Sequence, residues 1–455
     1  MQPYKDGPDY IDPGLHNEAA GRPSHNLDTW MMPEAALRGV FARHAQGADV
    51  VLVEGVMGLF DGRSGADEAG STAHLAKLLR NNHPLPVFLV VDAKSQARSV
   101  AALVQGFARF DPALGLAGVL LNRVGSERHE ALLREALAPL GNEAPVLGCL
   151  RRDEAVALPS RHLGLVTAAE MLSLNATLDA LADWVERGVD ITALLAALPE
   201  LSLPELSSAP PPTSGTPGPV RPVRIGLAQD RAFCFVYEEN LRLLAAAGGG
   251  AGEGAGPEPG VEIIPFSPLA DAAPPPDLDG LLLPGGYPEL AAPELAANEP
   301  MRAAIRAFCL SGRPVWAECG GYMYLMESLA DAEGRVWPMC GVVPARAVMR
   351  PRRAALGYRE ARTLSQGPLG PAGTLLRGHE FHYSALEGGS STLGEGGHAW
   401  ALTASDGSEA PEGWAWGNIV GGYFHAHLAS NPEAARRFVS ACLAWRQRPN
   451  AQGSG

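Results

Sequence analysis

The cysteine at position 319 stands where a nucleophile is expected. In the segment RPVWAECGGYMYLMESL it follows an apolar, strand-like run and precedes two glycines, and the spacing of Tyr322, Leu325, Met326 and Leu329 predicts a helix after it. On such a turn the side chain projects from the sheet, the helix N-terminus favours the thiolate, and glycines let a substrate approach. We therefore predict that Cys319 is a nucleophile. Five other cysteines fit ordinary buried positions: Cys149, Cys234, Cys309, Cys340 and Cys442.

A thiol nucleophile needs a base, and four histidines compete for that role. His425 and His427 lie in WGNIVGGYFHAHLASNP, before a helix whose cap we expect at Ser430 or Asn431, while His379 and His382 lie in RGHEFHYS. The turn in LLLPGGYPE adds the Gly285–Gly286 backbone, whose N–H groups could receive an oxyanion. Position in the sequence alone leaves the choice among the histidines open.

A second cluster of chemistry-bearing residues lies at the N-terminus. The stretch QPYKDGPDYIDPGLHNEAAGRPSHNLDTWMM holds five carboxylates and Lys5, one of only three lysines in the chain. We expect Lys5, Asp9, Asp12 and Asp28 to converge on a ligand; the alternative is a hydrated acidic loop.

Further carboxylates follow a strand-like run in VVLVEGVMGLFDG. Glu54 is expected at the C-terminal end of a buried strand and Asp61 in the loop after it. Ligand sites of open α/β sheets occupy that edge, and a carboxylate there commonly holds Mg²⁺ against nucleotide phosphates. Asn122, at the end of LAGVLLN, could contact a nucleotide base.

The elements that must position these residues alternate between strands and helices. Apolar runs at 48–55, 86–92 and 116–122 alternate with helical stretches around 66–80 and 127–138, which predicts a parallel α/β sheet. Runs at 223–228, 261–266, 279–286 and 313–321 predict a second one. We predict a synthetase domain over 1–205, a Pro/Ser/Gly-rich linker over 206–222 and a second domain over 223–447, with a surface loop at 248–260.

Composition limits the class of protein. A chain of 455 residues is long enough for two cores, and its net charge of −14 argues against nucleic acid or an anionic membrane as a partner. The sequence shows neither a membrane-spanning run nor a signal segment, and six scattered cysteines do not suggest a disulfide framework. We expect a cytoplasmic enzyme; a homodimer is left open.

The C-terminal motifs resemble the class I glutamine amidotransferase fold of corrinoid amide synthases. The resemblance covers nearly all of residues 223–445 and rests on AQDRAFCFVYEENL, LLPGGYPE, AECGGYMYL, RGHEFHYS and GYFHAHLASNP. It implies that Cys319 forms a glutamyl thioester, that His425 activates the thiol and that Gly286 serves the oxyanion hole. His427 stands where most class I domains have a glutamate that orients the histidine, which leaves the orienting group undefined.

The N-terminal motifs KDGPDYIDPGLH, RPSHNLDTWMM and VEGVMGLFDG resemble the corrinoid a,c-diamide synthases, whose N-terminal domain is similar to dethiobiotin synthetase and other P-loop proteins. The resemblance implies that Asp28 and Glu54 ligate Mg²⁺, that Lys5 meets phosphate or the activated carboxylate, and that Asn122 contacts the adenine of ATP. It also implies four residues around the tetrapyrrole and phosphoryl groups: Asp9, Tyr10, Asp12 and Asp61.

The function so implied is a glutamine-hydrolysing carbon–nitrogen ligase. It would use ATP to convert the a and c acetate carboxylates of cobyrinate or hydrogenobyrinate to amides through acyl phosphates, in cobalamin biosynthesis. The rival substrate is another polycarboxylate tetrapyrrole, a nickel sirohydrochlorin.

One family element is not found in this sequence, the phosphate loop G-x-x-x-x-G-K-[ST]. The family places it one βα unit ahead of QPYKDGPDYIDP, so we hypothesise a misassigned start that omits this unit. If the loss were real, ATP would be poorly held and the chain would keep only glutaminase or binding activity.

Overall fold

The structure is a computed structural model that describes residues 1–79, 85–161, 164–171, 173–201, 203, 221–248, 260–387 and 396–448. The chain divides into two compact units, one of residues 1–29 and 34–206, the other of residues 30–33 and 207–455. The expected linker at 206–222 and loop at 248–260 lie almost wholly outside the described residues.

The first unit alternates strands and helices as predicted. Its strands are β1 Gln2–Asp6, β2 His25–Leu27, β3 Val51–Glu54, β4 Val87–Asp92, β5 Leu116–Val124, β6 Val146–Arg151, β7 Ser160–Arg161 and β8 Gly164–Leu165. Its helices are α1 Ile11–Ala20, α2 Glu34–Ala45, α3 Thr72–Leu78, α4 Ser99–Phe110, α5 Glu127–Leu137, α6 Leu174–Gly188 and α7 Ile191–Ala196. The helix expected around 66–80 is therefore shorter, because Ser71 caps it by accepting the N–H of His74.

Two separate three-stranded parallel sheets form in this unit, in the orders β2-β1-β3 and β4-β5-β6, beside the short β7-β8 pair. The strand expected to be buried at 48–55 is an edge strand among the described residues: Leu52 of β3 is 52% exposed, and Val90 of β4, also at an edge, is 61% exposed. These two side chains are exposed because each strand lies at a sheet edge, where no further strand or helix of the described residues covers it. A further parallel strand would pair at such an edge.

The second unit contains the predicted parallel sheet and two sheets that sequence analysis did not predict. Its strands are β9 Val223–Ala228, β10 Val261–Phe266, β11 Gly280–Leu283, β12 Val315–Glu318, β13 Met326–Ala330, β14 Val336–Pro338, β15 Val343–Met349, β16 Ala355–Thr363, β17 Leu375–His382, β18 Ser384–Leu386, β19 Trp400–Ala404, β20 Glu409–Glu412, β21 Trp414–Trp416, β22 Ile419–Gly422 and β23 His425–His427. Its helices are α8 Glu238–Ala246, α9 Ala292–Ala297, α10 Glu299–Leu310, α11 Gly320–Leu325 and α12 Pro432–Arg446.

The central sheet runs β10-β9-β11-β12-β22-β21 and is parallel except at β21. Its middle strands are fully buried, and apolar side chains cover both faces in two core clusters. A four-stranded sheet, β14-β13-β15-β18, and a five-stranded antiparallel sheet, β20-β19-β16-β17-β23, complete the unit. The carboxyl end of β12 therefore lies in the middle of the best-packed sheet.

The helix predicted through Leu329 was wrong in length. Helix α11 ends at Leu325, and Met326 begins β13, which pairs with β15 through Met326 and Val343. The apolar residues at 325, 326 and 329 have helical spacing, but so short a pattern does not exclude a strand. The strand that pairs with this segment decides between the two. Helix α12 begins at Pro432 with Asn431 at its N-cap position, one of the two caps expected.

Close packing of β17 against β23 generates a prediction at Gly378. A Cβ built on Gly378 would lie 1.8 Å from the carbonyl oxygen of His425, so Gly378→Ala must push β23 away. We expect the variant to lose about 3 kcal/mol of unfolding free energy, measured by chemical denaturation. Gly397→Ala, where the added Cβ meets nothing within 4 Å, is the control and should stay close to the parent protein. Equal stability of the two variants would contradict this packing.

Candidate functional site

Cys319 sits on a strained turn between β12 and α11. Its backbone has φ 45° and ψ −101°, a conformation that a non-glycine residue adopts only where the surrounding structure enforces it. The N–H of Cys319 donates to the carbonyl of Gly422 at 2.7 Å, and the N–H of Gly321 donates to the carbonyl of Pro284 at 3.0 Å. The predicted strand–turn–helix position of this cysteine is therefore what the structure has.

Gly286 approaches this turn closely. A Cβ on Gly286, whose φ is +155°, would lie 2.1 Å from the carbonyl oxygen of Ala232, so only glycine fits. Its backbone nitrogen lies 3.0 Å from the point where a Cβ of Gly320 would stand, and the N–H of Gly320 faces the sulfur of Cys319. The amide of Gly320 thus lies beside the thiol, and the amide of Gly286 lies close to Gly320. The oxyanion role of Gly286 stays a prediction, with Gly320 as a second donor that sequence analysis missed.

Burial raises the pKa of the Cys319 thiol far above its usual value, and the carboxyl groups of Glu289, Glu318 and Glu412 raise it further. The N–H of Gly320, at the helix N-terminus, lowers the pKa as expected, but the effect of burial is larger. The helix has only six residues, and the Gly320 N–H only partly opposes the surrounding negative charge. At neutral pH the site holds a thiol.

His425 is the first residue of β23, which belongs to the five-stranded antiparallel sheet. A Cβ built on Gly285, the neighbour of Gly286, would lie 2.4 Å from Cε1 of His425. The Nδ1 atom of His425 lies 3.8 Å from Oε2 of Glu318. The imidazole is 1% exposed, and burial lowers its pKa to about 3, so the ring is neutral at pH 7. A neutral imidazole can accept a proton from a thiol, which agrees with the predicted role of His425 as the base.

The three competing histidines lie near His425, and each has packing or hydrogen-bond partners of its own. His379 stacks on His425 with 4.9 Å between ring centroids and shares a 3.1 Å hydrogen bond with the Tyr237 hydroxyl. His382 stacks on Tyr423 at 4.0 Å and donates through Nδ1 to the carbonyl of Ser384 at 2.7 Å. His427 accepts the N–H of Ala429 through Nδ1. They are packing and hydrogen-bonding neighbours of the predicted base.

Glu412, at the end of β20, is a fully buried carboxyl group near the thiol. Its Oε1 accepts the N–H of Tyr423 at 2.7 Å. Burial, and then the charge of Glu380, raise the pKa of Glu412 to about 8. Sequence analysis missed Glu412 because it lies in a segment without a motif and reaches the site only through the pairing of distant strands.

In the first unit the strand ends gather charged side chains as predicted. Lys5 and Glu54 are register partners on β1 and β3, and Lys5 Nζ lies 2.7 Å from Asp12 Oδ2 and 3.2 Å from Glu54 Oε2. Burial disfavours the charge of Lys5, but Asp12 and Glu54 raise its pKa above the usual value. Burial disfavours the charge of Glu54 too, yet bonds from His16 and Lys5 lower its pKa. These side chains form one ion-paired network rather than a hydrated loop.

A second carboxylate pair lies beside this network. Asp6 and Asp28 are both 0% exposed, and burial, with the charge of Asp28, raises the pKa of Asp6 to about 7. Thr72 donates to Oδ2 of Asp6 at 2.6 Å, whereas Oδ1 is buried without a hydrogen-bond partner in the described part of the chain. Such an orphaned oxygen beside a second carboxylate suits a divalent cation. Sequence analysis counted Asp6 among the five acids but did not select it.

The remaining predicted residues are distributed around these strand ends. Asp9 accepts the N–H groups of Ile11 and Asp12, and Tyr10 occupies the N-cap position of α1. Asp61 accepts the N–H of Gly58 within its own exposed loop, and Asn122 lies on β5 of the other sheet, where its oxygen accepts the N–H of Arg123. Their roles toward a ligand stay predictions.

The buried carboxyl of Glu412 makes stability depend on pH. Its pKa is about 8 in the folded chain, against 4.5 for an ordinary glutamate, which we take for the unfolded chain. As pH rises from about 5 to 8, the unfolded chain gives up this proton while the folded chain keeps it, so the free energy of unfolding falls. Glu412→Gln keeps the acceptor for Tyr423 and removes the titration. Measured by chemical denaturation, the unfolding free energy of the variant relative to the parent should rise between pH 5 and pH 8, by on the order of a few kcal/mol. Glu409→Gln, on the exposed part of the same strand, is the control; an unchanged difference at both pH values would contradict the assignment.

Comparisons with known proteins identify a family for each of the two units. Residues 224–433 match the family described as CobB/CobQ-like glutamine amidotransferase domain, and residues 9–166 match the CobQ/CobB/MinD/ParA nucleotide binding domain. No helix in the described part of the chain has the length and hydropathy needed to span a bilayer.

Three curated relatives align with almost the entire chain. A cobyrinate a,c-diamide synthase of Syntrophotalea carbinolica is 45% identical, with 97% of this chain and 92% of the relative covered. A hydrogenobyrinate a,c-diamide synthase of Streptomyces coelicolor is 42% identical, covering 97% and 91%. A cobyrinate a,c-diamide synthase of Gloeobacter violaceus is 43% identical, covering 98% and 90%. This chain belongs to the cobyrinate/hydrogenobyrinate a,c-diamide synthase family.

Proposed function

We propose that this protein is a glutamine-hydrolysing ligase that amidates the a and c acetate side chains of cobyrinate or hydrogenobyrinate with ATP, in cobalamin biosynthesis. The observation that carries the proposal is the strained Cys319 turn beside a neutral, buried His425, in a chain whose relatives carry that activity in their names. Those names favour a corrin over the rival nickel sirohydrochlorin.

Glutamine hydrolysis would begin with a thiol and a neutral imidazole. Cys319 Sγ attacks the carboxamide carbon while its proton passes to His425, because neither group carries charge beforehand. The oxyanion of the tetrahedral intermediate faces the amides of Gly286 and Gly320. His425 then protonates the leaving ammonia, and water attacks the thioester with His425 as base, which releases glutamate.

The first unit would activate the acceptor. A corrin carboxylate is a poor electrophile at neutral pH, so its oxygen first takes the terminal phosphoryl group of ATP and becomes an acyl phosphate. Ammonia then attacks the carbonyl carbon and phosphate leaves. Lys5, held at the strand edge by Asp12 and Glu54, is the cation available to the transferred phosphoryl group, and the cycle repeats on the second acetate.

Asp6 and Asp28 would hold Mg²⁺, which neutralises phosphate charge when bound. The described residues contain no cluster of three or more Cys, His, Asp and Glu side chains suited to a metal. Mg²⁺ needs only one or two carboxylates, however, since waters and phosphates complete its shell. Glu54, earlier expected as a ligand, is already bonded to Lys5 and His16, so we place it in the network that orients Lys5.

Glutamate release from glutamine tests the nucleophile. We expect Cys319→Ser to lower kcat for glutamine hydrolysis at least about 100-fold, because a serine hydroxyl is much less acidic than a thiol and a weaker nucleophile when His425 takes its proton. Cys149→Ala removes a buried cysteine of the first unit and should leave hydrolysis unchanged. If Cys319→Ser retained the parent rate, the proposed function would be wrong. Amide formation on cobyrinate, followed by mass spectrometry, tests the substrate separately.

Binding of Mg²⁺ tests the carboxylate pair without any turnover. We expect millimolar Mg²⁺ to raise the thermal midpoint of the parent chain, because a cation relieves repulsion between two buried carboxylates. Asp6→Asn should reduce that shift by half or more, while Asp67→Asn, an exposed carboxyl of the same unit, should keep it. An identical shift in Asp6→Asn would exclude Asp6 as a ligand.

A further inference from the structure

Glu318 occupies an unusual position, between the nucleophile and the base. It is the last residue of β12 and directly precedes Cys319, while its side chain reaches β23. Its Oε1 accepts the N–H of Ala426 at 2.9 Å, and its Oε2 lies 3.8 Å from Nδ1 of His425. One side chain therefore links the backbone of the cysteine turn to the strand that carries the histidine.

The link is rigid, because both of its ends are fixed. Glu318 is 3% exposed, and its backbone pairs with Gly422, whose carbonyl also accepts the N–H of Cys319. On β23, Gly378 lies opposite Ala426, so the N–H that binds Glu318 belongs to a paired strand. A carboxyl group held in this way can fix the orientation of an imidazole that lies slightly beyond hydrogen-bond distance.

A histidine that takes a proton through one ring nitrogen must carry a proton on the other. An acceptor at Nδ1 holds that proton there and leaves Nε2 free to receive the thiol proton. His379 meets His425 through a stacked ring, and Nδ1 of His427 already accepts the N–H of Ala429. The carboxyl group of Glu318 lies within 4 Å of His425 Nδ1.

We propose that Glu318 is the positioning residue of the Cys319–His425 pair: Oε2 of its carboxyl group, neutral or ionised, accepts the Nδ1–H of His425 and selects the tautomer that can take the thiol proton. The inference rests on the proposed glutaminase function and deepens it. The 3.8 Å separation closes in the reacting complex, since hydrogen bonds of catalytic groups are commonly long before the substrate binds.

Electrostatics gives the same residue a second effect. During attack on glutamine the proton moves from Cys319 to His425, and an imidazolium forms at a buried position. Glu318 then faces a cation, and its ionised form is favoured. The other titratable groups around His425 in the described residues include His379, His382, His427 and Glu380, and the charge of Glu380 raises the pKa of His425. Glu380 is itself paired with Arg359 at 2.6 Å. Glu318 adds a second carboxyl group, 3.8 Å from Nδ1, that can stabilise the imidazolium.

A pair of substitutions separates positioning from packing. In Glu318→Gln the amide oxygen keeps the Ala426 N–H, so the NH₂ group faces Nδ1 and can only donate, which fixes the wrong tautomer. Glu318→Ala leaves a cavity but imposes no tautomer. We expect kcat for glutamine hydrolysis to fall about 100-fold in Glu318→Ala and about tenfold further in Glu318→Gln, with KM within about twofold of the parent. A purely structural role predicts the reverse order, because glutamine is the better isostere.

The controls address folding and the underlying function. Asp331→Asn removes a buried carboxylate elsewhere in the same unit and should keep kcat. Nitrogen-15 NMR of the histidine side chains should show His425 protonated at Nδ1 in the parent and at Nε2 in Glu318→Gln, a readout that needs no activity. If Glu318→Gln is as active as Glu318→Ala or more so, the positioning role is overturned. If instead the parent releases no glutamate, the glutaminase proposal fails, while the NMR result still decides the tautomer.

Discussion

The hydrogen bond from the Cys319 N–H to the Gly422 carbonyl holds the whole glutaminase site in place. It anchors a residue at φ 45° in the middle of the central sheet and continues the register of β12 against β22. With that turn fixed, Gly320 presents its amide to the sulfur and Glu318 reaches across to β23. The strain at one residue is maintained by two paired strands on which the rest of the site is built.

The site keeps its ionisable groups neutral before substrate binds. Burial raises the pKa values of Cys319, Glu318 and Glu412 and lowers those of His425 and His427, so charge separation is postponed to the reaction itself. The first unit behaves differently, because Lys5, Asp12 and Glu54 satisfy one another as ions at a more open strand edge. This contrast fits the two chemistries proposed, proton transfer between buried groups and the handling of phosphate charge.

Sequence analysis predicted what local pattern determines. Strand-like runs and glycines were enough to place Cys319 on its turn, and the sequence predicted that Lys5 and Asp12 lie close together. The pairing of Lys5 with Glu54 was not predicted. Glu318 was not predicted, since its meaning depends on Ala426, 108 residues away. The antiparallel sheets and the end of α11 at Leu325 were missed for the same reason: Met326 becomes a strand residue only because Val343 lies beside it.

The left-handed backbone at Cys319 also restricts how this site can change. A β-branched residue is strongly disfavoured at positive φ, because its second γ-substituent crowds the backbone. Among hydroxyl and thiol side chains, threonine is thereby excluded at position 319, and only cysteine and serine remain sterically admissible. A single substitution can therefore replace the attacking sulfur by oxygen, but it cannot place that atom on a branched Cβ.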